Sequence, residues 1–219
     1  MSQKRMLFGA VIVTVALGAW SGQSAAAATK LPSPAVDDAP SNGSATLVVA
    51  GGCFWGIEEV FQHVKGVTNA VSGYSGGSAR NAEYELVSTG TTGHAEAVKI
   101  TYDASKVTLG TLLKVFFSVA HDPTQLNRQG PDTGPQYRSA MFFSSERQQR
   151  VMRSYIDQLN AAKAFSRPIV TQVVPLTAFY EAEAEHQDFA VRHPTHPYIV
   201  INDAPKVADL RREFPQLYR

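Results

Sequence analysis

The chain has 219 residues, of which 44% are hydrophobic and 18% charged, enough apolar side chains for one good core and too few for two. Its formal net charge of +1 gives no electrostatic reason to expect binding to nucleic acid or anionic lipid. The single cysteine, Cys53, excludes an intramolecular disulfide and a metal site built from several thiolates. We therefore expect one folded domain, in which Cys53 acts without a second thiol from the chain.

The first 28 residues have the three parts of a secretory signal peptide. Lys4 and Arg5 precede an apolar run from Met6 to Trp20, and small residues suited to a signal peptidase follow at 24–28. The apolar run is short for a transmembrane helix. The sequence therefore predicts a cleaved leader at 1–28 and export to the periplasm or the medium, with an uncleaved membrane anchor as the alternative.

The next segment, 29–44, consists mainly of Pro, Ala, Ser, Asp and Gly without periodicity. That composition is typical of a flexible linker. The folded domain is then expected at 45–219.

The only cysteine lies at a predicted junction between a strand and a helix. A β-branched run ending at Ala50 is followed by Gly51 and Gly52, and apolar residues recur at helical spacing from Phe54 onwards. Cys53 would then occupy the first turn of a helix, where free backbone N–H groups and the helix dipole favour a thiolate. This pattern predicts a reactive cysteine, although a lone cysteine can also be a small buried hydrophobic residue.

A second predicted strand, 94–102, places a carboxyl group among apolar side chains. Strand periodicity puts Glu96 on the same face as Val98, Ile100 and Tyr102. Burial disfavours the charged form of a carboxyl group, so we expect Glu96 to find hydrogen-bond donors or to have a raised pKa. The alternative is that Glu96 lies at the solvent-exposed end of the strand.

The remaining elements alternate between strands and helices. Besides those around Cys53 and Glu96, we predict a strand at 67–74, a glycine loop at 75–78, a helix at 108–120 capped by Thr108, a long loop at 124–135, a strand at 136–143, a helix at 145–164, a strand at 168–175, a helix at 177–191 and a helix at 207–214. The alternation predicts an α/β or α+β fold with helices packed on a sheet.

Several ordered motifs resemble the methionine sulfoxide reductase A family. The hexapeptide 51–56, Gly-Gly-Cys-Phe-Trp-Gly, resembles the active-site motif of that family. Further matching motifs follow in order at Gly73–Gly77, Tyr84–Glu85, Thr92–Val98, His121–Gln125, Asp132, Gln136–Ser139, Phe179–Tyr180, Ala182–Glu183 and His186–Gln187. The resemblance covers the chain from about Ala45 to Tyr198, so it predicts a single catalytic domain of this kind at 45–219.

The resemblance implies a fold, a reaction and a set of site residues. The fold would be a ferredoxin-like plait, a mixed sheet with packed helices and long loops. The reaction would reduce the S epimer of methionine sulfoxide, free or in proteins, without a metal or another cofactor. By this resemblance Cys53 would be the nucleophile and Glu96 the acid, and Tyr84 and Tyr137 would bind the sulfoxide oxygen. Phe54 and Trp55 would form an apolar pocket for the methyl group, and Asp132 would orient the substrate.

One departure from the family pattern concerns recycling of the cysteine. Loss of the sulfoxide oxygen to Cys53 would leave a sulfenic acid, which is reduced by condensing with another thiol. Many relatives carry that thiol after the tyrosine matching Tyr198, whereas Ile199 stands here and no cysteine follows. We therefore predict an external thiol reductant, such as a thioredoxin-like or glutaredoxin-like protein or a small thiol.

Other interpretations of the same residues stay open at the level of sequence. A cysteine hydrolase would pair Cys53 with His94 or His121 as its base. A thiol peroxidase is also possible, but peroxide needs no pocket formed by two aromatic side chains. Another alternative is an exported protein that binds oxidised methionine without turnover. A metal pair from His193 and His196 is disfavoured, because two prolines accompany these residues and no matching carboxylate does.

Overall fold

The architecture comes from a computed structural model that describes residues 30–38 and 41–219. The predicted leader, 1–28, lies outside the described residues, so its cleavage and the export of the chain remain predictions. Within the described ranges, no helix combines the length and the apolar composition needed to cross a membrane.

Within these described residues, eight strands form two sheets. In chain order they are β1 Ser44–Gly51, β2 Val67–Ser75, β3 Ala95–Asp103, β4 Arg128–Gln129, β5 Asp132–Thr133, β6 Ser139–Phe143, β7 Gln172–Pro175 and β8 Phe179–Glu181. Strands β4 and β5 form a small hairpin within the predicted long loop. The other six form one sheet in the order β7-β6-β1-β3-β2-β8.

Six α-helices accompany the sheet in the same part of the chain. They are α1 Phe54–Gln62, α2 Tyr84–Val87, α3 Leu109–Val115, α4 Glu146–Ala161, α5 Phe189–Arg192 and α6 Ala204–Glu213. A wider helical turn, Phe116–Ala120, extends α3, and another, Ile199–Asp203, precedes α6. The predicted cap of α3 is confirmed, because the side chain of Thr108 accepts a hydrogen bond from the backbone N–H of Thr111.

The chain path through the central strands confirms the ferredoxin-like plait. The order of elements is β1-α1-β2-β3-α3-β6, and the strands lie as β6-β1-β3-β2 with all neighbours antiparallel. Strand β7 joins the edge at β6 in parallel, and β8 joins the other edge antiparallel to β2. The sheet is therefore mixed, as expected.

The two faces of the sheet bury different residues. Alternate side chains of β1 and β3, including Val49, Val98 and Ile100, join Phe54 and Ile57 of α1 in the main core. The opposite face carries a smaller cluster of mostly small residues: Val48, Ala50, Ala95, Ala97, Ala140 and Phe142. Glu96 therefore lies on the face that packs against the helices, as its strand position predicted.

The prediction of a helix at 177–191 is wrong. Residues Phe179–Glu181 form strand β8 along the edge of β2, and within 177–191 only the residues from Phe189 onwards are α-helical. Gly73 of β2 makes the close pairing possible, because a Cβ there would approach the carbonyl oxygen of Tyr180 to 2.2 Å. Pairing with the free edge of β2 therefore determines the structure of this segment, although its apolar spacing favours a helix. The predicted strands at 136–143 and 168–175 also begin later, at Ser139 and Gln172.

Residues 30–38 depart from the expectation of a flexible linker. Leu31 is buried in the main core, and the backbone carbonyl of Pro32 accepts a 2.9 Å hydrogen bond from the Tyr155 hydroxyl. Asp37 accepts a 2.7 Å bond from the N–H of Gly110 in the first turn of α3. One apolar side chain and one acidic side chain therefore hold this segment against α3 and α4, although its composition is that of a linker.

Candidate active site

One cavity of about 270 Å³ gathers the predicted site residues beside the end of β1 and the beginning of β3. All the residues proposed from the sequence line it, together with two that were not proposed. They are Cys53, Phe54, Trp55, Tyr84, Glu96, Asp132, Tyr137, His196 and Tyr198. Strand β3, helices α1 and α2, the β4–β5 hairpin and the segment before α6 each contribute, so the cavity depends on the whole fold.

Cys53 immediately precedes α1 and is 8% exposed. The preceding Gly52 has a φ of 99°, which lets the chain turn sharply from β1 into the helix. Burial, followed by the nearby charges of Glu96 and Asp203, raises the pKa of the Cys53 thiol well above its ordinary value. A hydrogen bond from the backbone N–H of Trp55 acts in the opposite direction and is outweighed. Desolvation therefore outweighs the stabilisation of a thiolate that was expected from the start of the helix.

Glu96 lies on β3 and is 1% exposed. Burial raises its pKa to about 8, against a smaller opposing effect of the backbone N–H of Phe54, which donates to Oε2 over 3.1 Å. At neutral pH the carboxyl group is mainly protonated. The prediction of a buried carboxyl group with a raised pKa is confirmed, and the hydrogen bond from Phe54 ties it to the first turn of α1.

Tyr84 and Tyr137 reach the cavity from separate segments. Tyr84 begins α2, and its backbone N–H donates to Glu183 Oε1 over 2.8 Å, while Glu183 Oε2 accepts from the hydroxyl of Tyr74 over 2.7 Å. Tyr137 ends the short turn Pro135–Tyr137. Burial raises the pKa of both cavity phenols, so they remain protonated at neutral pH and are able to donate hydrogen bonds.

Trp55 forms part of an aromatic cluster beside the cavity. Its ring stacks on Phe189 with centroids 3.8 Å apart, and the ring of Tyr198 meets it edge-on at 5.9 Å. His186 packs between Trp55 and Tyr84, 4.1 Å from the latter ring. His186 is only 8% exposed. It lies in the turn that follows β8, within the segment 177–191 where a helix was predicted.

Asp132 and Tyr198 also line the cavity. The hydroxyl of Tyr198 donates to Asp132 Oδ2, which links the β4–β5 hairpin to the segment before α6. Asp132 was predicted at the site, whereas Tyr198 was named only as the residue after which many relatives carry a cysteine. His196 was considered only as a metal ligand, and no sequence signal distinguished either residue as part of the cavity wall.

The histidines required by a cysteine hydrolase are engaged elsewhere. His94 Nδ1 accepts from the N–H of Gly77 over 3.2 Å, and Nε2 donates to the carbonyl of Ser78 over 3.0 Å. His121 Nδ1 contacts the carbonyl of Phe116 at 3.1 Å, and Nε2 contacts Ser139 Oγ at 2.7 Å. Both rings therefore have structural partners at each nitrogen, and neither lines the cavity around Cys53. The geometry does not favour a cysteine hydrolase.

Across residues 30–38 and 41–219, no three His, Cys, Asp or Glu side chains are grouped so that they could hold a metal ion. His193 and His196 instead both pack against Phe189, with ring centroids at 4.4 and 5.6 Å.

Comparison with known proteins agrees with this geometry. The family model described as peptide methionine sulfoxide reductase matches residues 45–217. A protein of Mesorhizobium japonicum named peptide methionine sulfoxide reductase MsrA 2 is 59% identical over 84% of this chain and 94% of its own length. An MsrA of Thermus thermophilus is 46% identical over 78% of this chain and 96% of its own.

Solved structures show the same likeness. Methionine sulfoxide reductase A of Corynebacterium diphtheriae superposes with a TM-score of 0.61 and 36% identity over 71% of this chain and 78% of its own. Reduced Mxr1 of Saccharomyces cerevisiae gives a TM-score of 0.65 and 28% identity over 74% and 92%. With a family match that spans the folded domain and relatives this similar, the chain belongs to the peptide methionine sulfoxide reductase family.

Proposed function

We propose that Cys53 and Glu96 carry the chemistry of this oxidoreductase, a thiol-dependent reductase of methionine sulfoxide. The observation that supports these roles is their meeting in one cavity: the only thiol of the chain, a carboxyl group that holds its proton at neutral pH, two phenols and two aromatic rings. A sulfoxide presents complementary chemistry, because its sulfur is electrophilic, its oxygen accepts hydrogen bonds and its methyl group is apolar.

In the proposed first step, the sulfur of Cys53 attacks the sulfoxide sulfur and forms a transient sulfur–sulfur bond, while Glu96 donates its proton to the oxygen. The oxygen then passes to the Cys53 sulfur: the sulfur–oxygen bond of the substrate and the transient sulfur–sulfur bond break, and a sulfur–oxygen bond to Cys53 forms, giving methionine and a Cys53 sulfenic acid. The substrate sulfur gains two electrons, which the cysteine sulfur loses. The proton released by the thiol replaces the one that Glu96 donated, so the step is balanced.

The other cavity residues orient the substrate in this proposal. The hydroxyls of Tyr84 and Tyr137 donate to the sulfoxide oxygen, where negative charge develops as the bond to sulfur weakens. Phe54 and Trp55 enclose the methyl group. Asp132, fixed by the hydroxyl of Tyr198, orients the substrate through polar contacts. The proposed substrate is the S epimer of methionine sulfoxide, either free or in oxidised proteins.

Recycling is proposed to use an external thiol. The chain has no second cysteine with which the sulfenic acid could form an intramolecular disulfide. A thiol from a thioredoxin-like or glutaredoxin-like protein, or a small thiol, condenses with Cys53, and a second thiol releases the enzyme. The scheme requires no cofactor. Export remains a proposal that rests on the leader sequence at 1–28.

The decisive experiment is a single turnover without thiol. Reduced enzyme is mixed with excess methionine S-sulfoxide, and both methionine and trapped sulfenic acid are quantified. We expect one methionine and one sulfenic acid at Cys53 per chain, and none of either from Cys53→Ser. Binding of the sulfoxide without release of methionine would contradict the proposal and would favour a non-turnover binding protein. Continued turnover with no thiol present would contradict the external recycling step.

A further inference from the structure

A buried ion pair lies close to Cys53 but outside the cavity wall. Lys206 Nζ is 3.0 Å from Asp203 Oδ1, and the side chains are 17% and 0% exposed. The second carboxylate oxygen of Asp203 is buried and has no hydrogen-bond partner in the described part of the chain. Burying such a pair costs desolvation energy that its own attraction does not always offset, so its position calls for an explanation.

The pair packs directly against the first turn of α1. Asp203 ends the turn Ile199–Asp203, which begins immediately after the cavity residue Tyr198. A Cβ at Gly56 would approach Asp203 Oδ1 to 2.1 Å, so only glycine at this position lets the carboxylate rest on the helix backbone. Gly56 lies three residues after Cys53. The carboxylate is thus held against the same helical turn that positions the thiol.

The charges of the pair act on Cys53 in opposite directions. Burial raises the pKa of the Cys53 thiol most, followed by Glu96 and then by Asp203. Lys206 lowers this pKa, but its effect is smaller than that of Asp203. Several ionisable groups face the thiol together with the pair: Glu96, Tyr84, Tyr137 and Tyr198. Those four line the cavity, whereas Asp203 and Lys206 approach from the side of α6, away from the cavity wall.

We propose that Asp203 and Lys206 are positioning residues for the active thiol: as a fixed ion pair beneath the first turn of α1, they set how readily Cys53 loses its proton before the substrate binds. Asp203 holds the thiol in its protonated form, and Lys206 fixes the carboxylate and limits its effect. The inference rests on the proposed role of Cys53 as the nucleophile and adds residues that contact neither substrate nor cavity.

The test uses the full chain, in which iodoacetamide can alkylate only one cysteine. Alkylation rates are measured against pH without sulfoxide for Asp203→Asn and Lys206→Met. We expect the midpoint to move to lower pH in Asp203→Asn, with about threefold faster labelling at neutral pH, and to higher pH in Lys206→Met, with slower labelling by a similar factor. Midpoints that coincide with that of the unaltered chain would overturn the proposal.

A matched control is available elsewhere in the fold. Lys106 and Asp103 form the same i, i+3 pair at 3.0 Å, but their side chains are 70% and 28% exposed and lie outside the cavity wall. Asp103→Asn and Lys106→Met should leave the alkylation profile unchanged. If these variants moved the midpoint as far as the Asp203 and Lys206 variants do, the effect would not be specific to the buried pair and the proposal would fail.

Either single variant leaves one buried charge without its partner, which could unfold the chain. The double variant Asp203→Asn/Lys206→Met removes both charges and avoids this problem. Its midpoint should lie below that of the unaltered chain, because Asp203 has the larger effect. A purely structural role predicts loss of activity in both single variants without opposite shifts. Alkylation does not depend on sulfoxide reduction, so an unaltered chain that labels normally but releases no methionine would refute the proposed function separately.

Discussion

The protonation state of Glu96 links the sequence to the proposed reaction at the scale of a single residue. Its place on β3, in register with Tyr74 of β2, buries the carboxyl group on the helix-packed face of the sheet. Burial raises the pKa to about 8, so the group is a weak acid that remains protonated when substrate enters at neutral pH. Strand alternation predicted this position from sequence, because a period of two leaves only two possible faces.

Glu96→Gln is expected to slow single-turnover reduction by about 100-fold, because glutamine keeps the shape and cannot donate a proton of comparable acidity. Rapid-quench measurement of methionine release tests this. The rate of the unaltered enzyme at low substrate should also stop rising with pH above about 8, because the loss of the Glu96 proton offsets the growing fraction of Cys53 thiolate. Glu146→Gln, on the exposed first turn of α4, should retain the normal rate. An unaltered rate in Glu96→Gln would remove this residue from its proposed role.

Tyr84→Phe and Tyr137→Phe each remove one phenol from the cavity. Each is expected to lower the single-turnover rate by about 100-fold, because one donor to the developing charge on oxygen is lost. Tyr180→Phe, which alters a tyrosine packed on His94 outside the cavity wall, serves as the control. Rates equal to the control in both cavity variants would show that neither hydroxyl assists the reaction.

At the scale of elements, contacts with neighbouring elements determine the structure of segments whose local sequence pattern is weak. The spacing of 177–191 indicated a helix, but Phe179–Glu181 pair with the open edge of β2 and bring Glu183 to Tyr84 and His186 to Trp55. Similarly, 30–38 has the composition of a linker and yet contacts α3 and α4. Hydrogen bonds to a distant element are not encoded in local periodicity, so neither placement was predictable.

Asp37→Ala tests whether this N-terminal segment stabilises the domain. The carboxylate accepts bonds from the N–H of Gly110 and the hydroxyl of Thr108 at the start of α3, so its loss should lower the free energy of unfolding by about 1 kcal/mol. Asp38→Ala removes an ion pair with Arg147 and should cost less than about 1 kcal/mol. Urea denaturation compares the two. Equal stability of Asp37→Ala and the unaltered chain would show that the hydrogen bonds of Asp37 to the start of α3 contribute nothing.

At the scale of the whole molecule, buried carboxyl groups make stability depend on pH. Burial raises the pKa of Glu58 to about 7 and that of Glu96 to about 8, above the ordinary value of 4.5. The native state therefore holds protons that the unfolded chain has lost, and stability present below pH 4.5 decreases as the pH rises through the folded-state values. Histidines with lowered pKa values, such as His121 at about 4, make stability increase with pH, but only below their ordinary pKa of 6.5.

We therefore expect the free energy of unfolding to fall between about pH 6.5 and 8. Denaturant titrations at a series of pH values measure this slope. The slope should be shallower in Glu58→Gln/Glu96→Gln, which lacks both titrating groups. A slope that is zero in the unaltered chain, or the same in the double variant, would show that these carboxyl groups have ordinary pKa values in the folded state.

The sequence by itself determined those features that depend on local patterns. The turn at Gly51 and Gly52, the apolar face of α1 and the burial of Glu96 follow from periodicity and from the conformational freedom of glycine. The plait and the site residues came from ordered motifs that resemble a known family. These features need only the order of residues along the chain.

Only the tertiary structure decided which distant groups surround the thiol. Burial together with the charges of Glu96 and Asp203 raises the pKa of Cys53, in opposition to the helix end that the local sequence indicated. Tyr198 meets Asp132, and His186 packs on Trp55, because separate loops converge around the beginning of α1. Desolvation and through-space charge depend on distances between residues far apart in sequence, which local pattern does not specify.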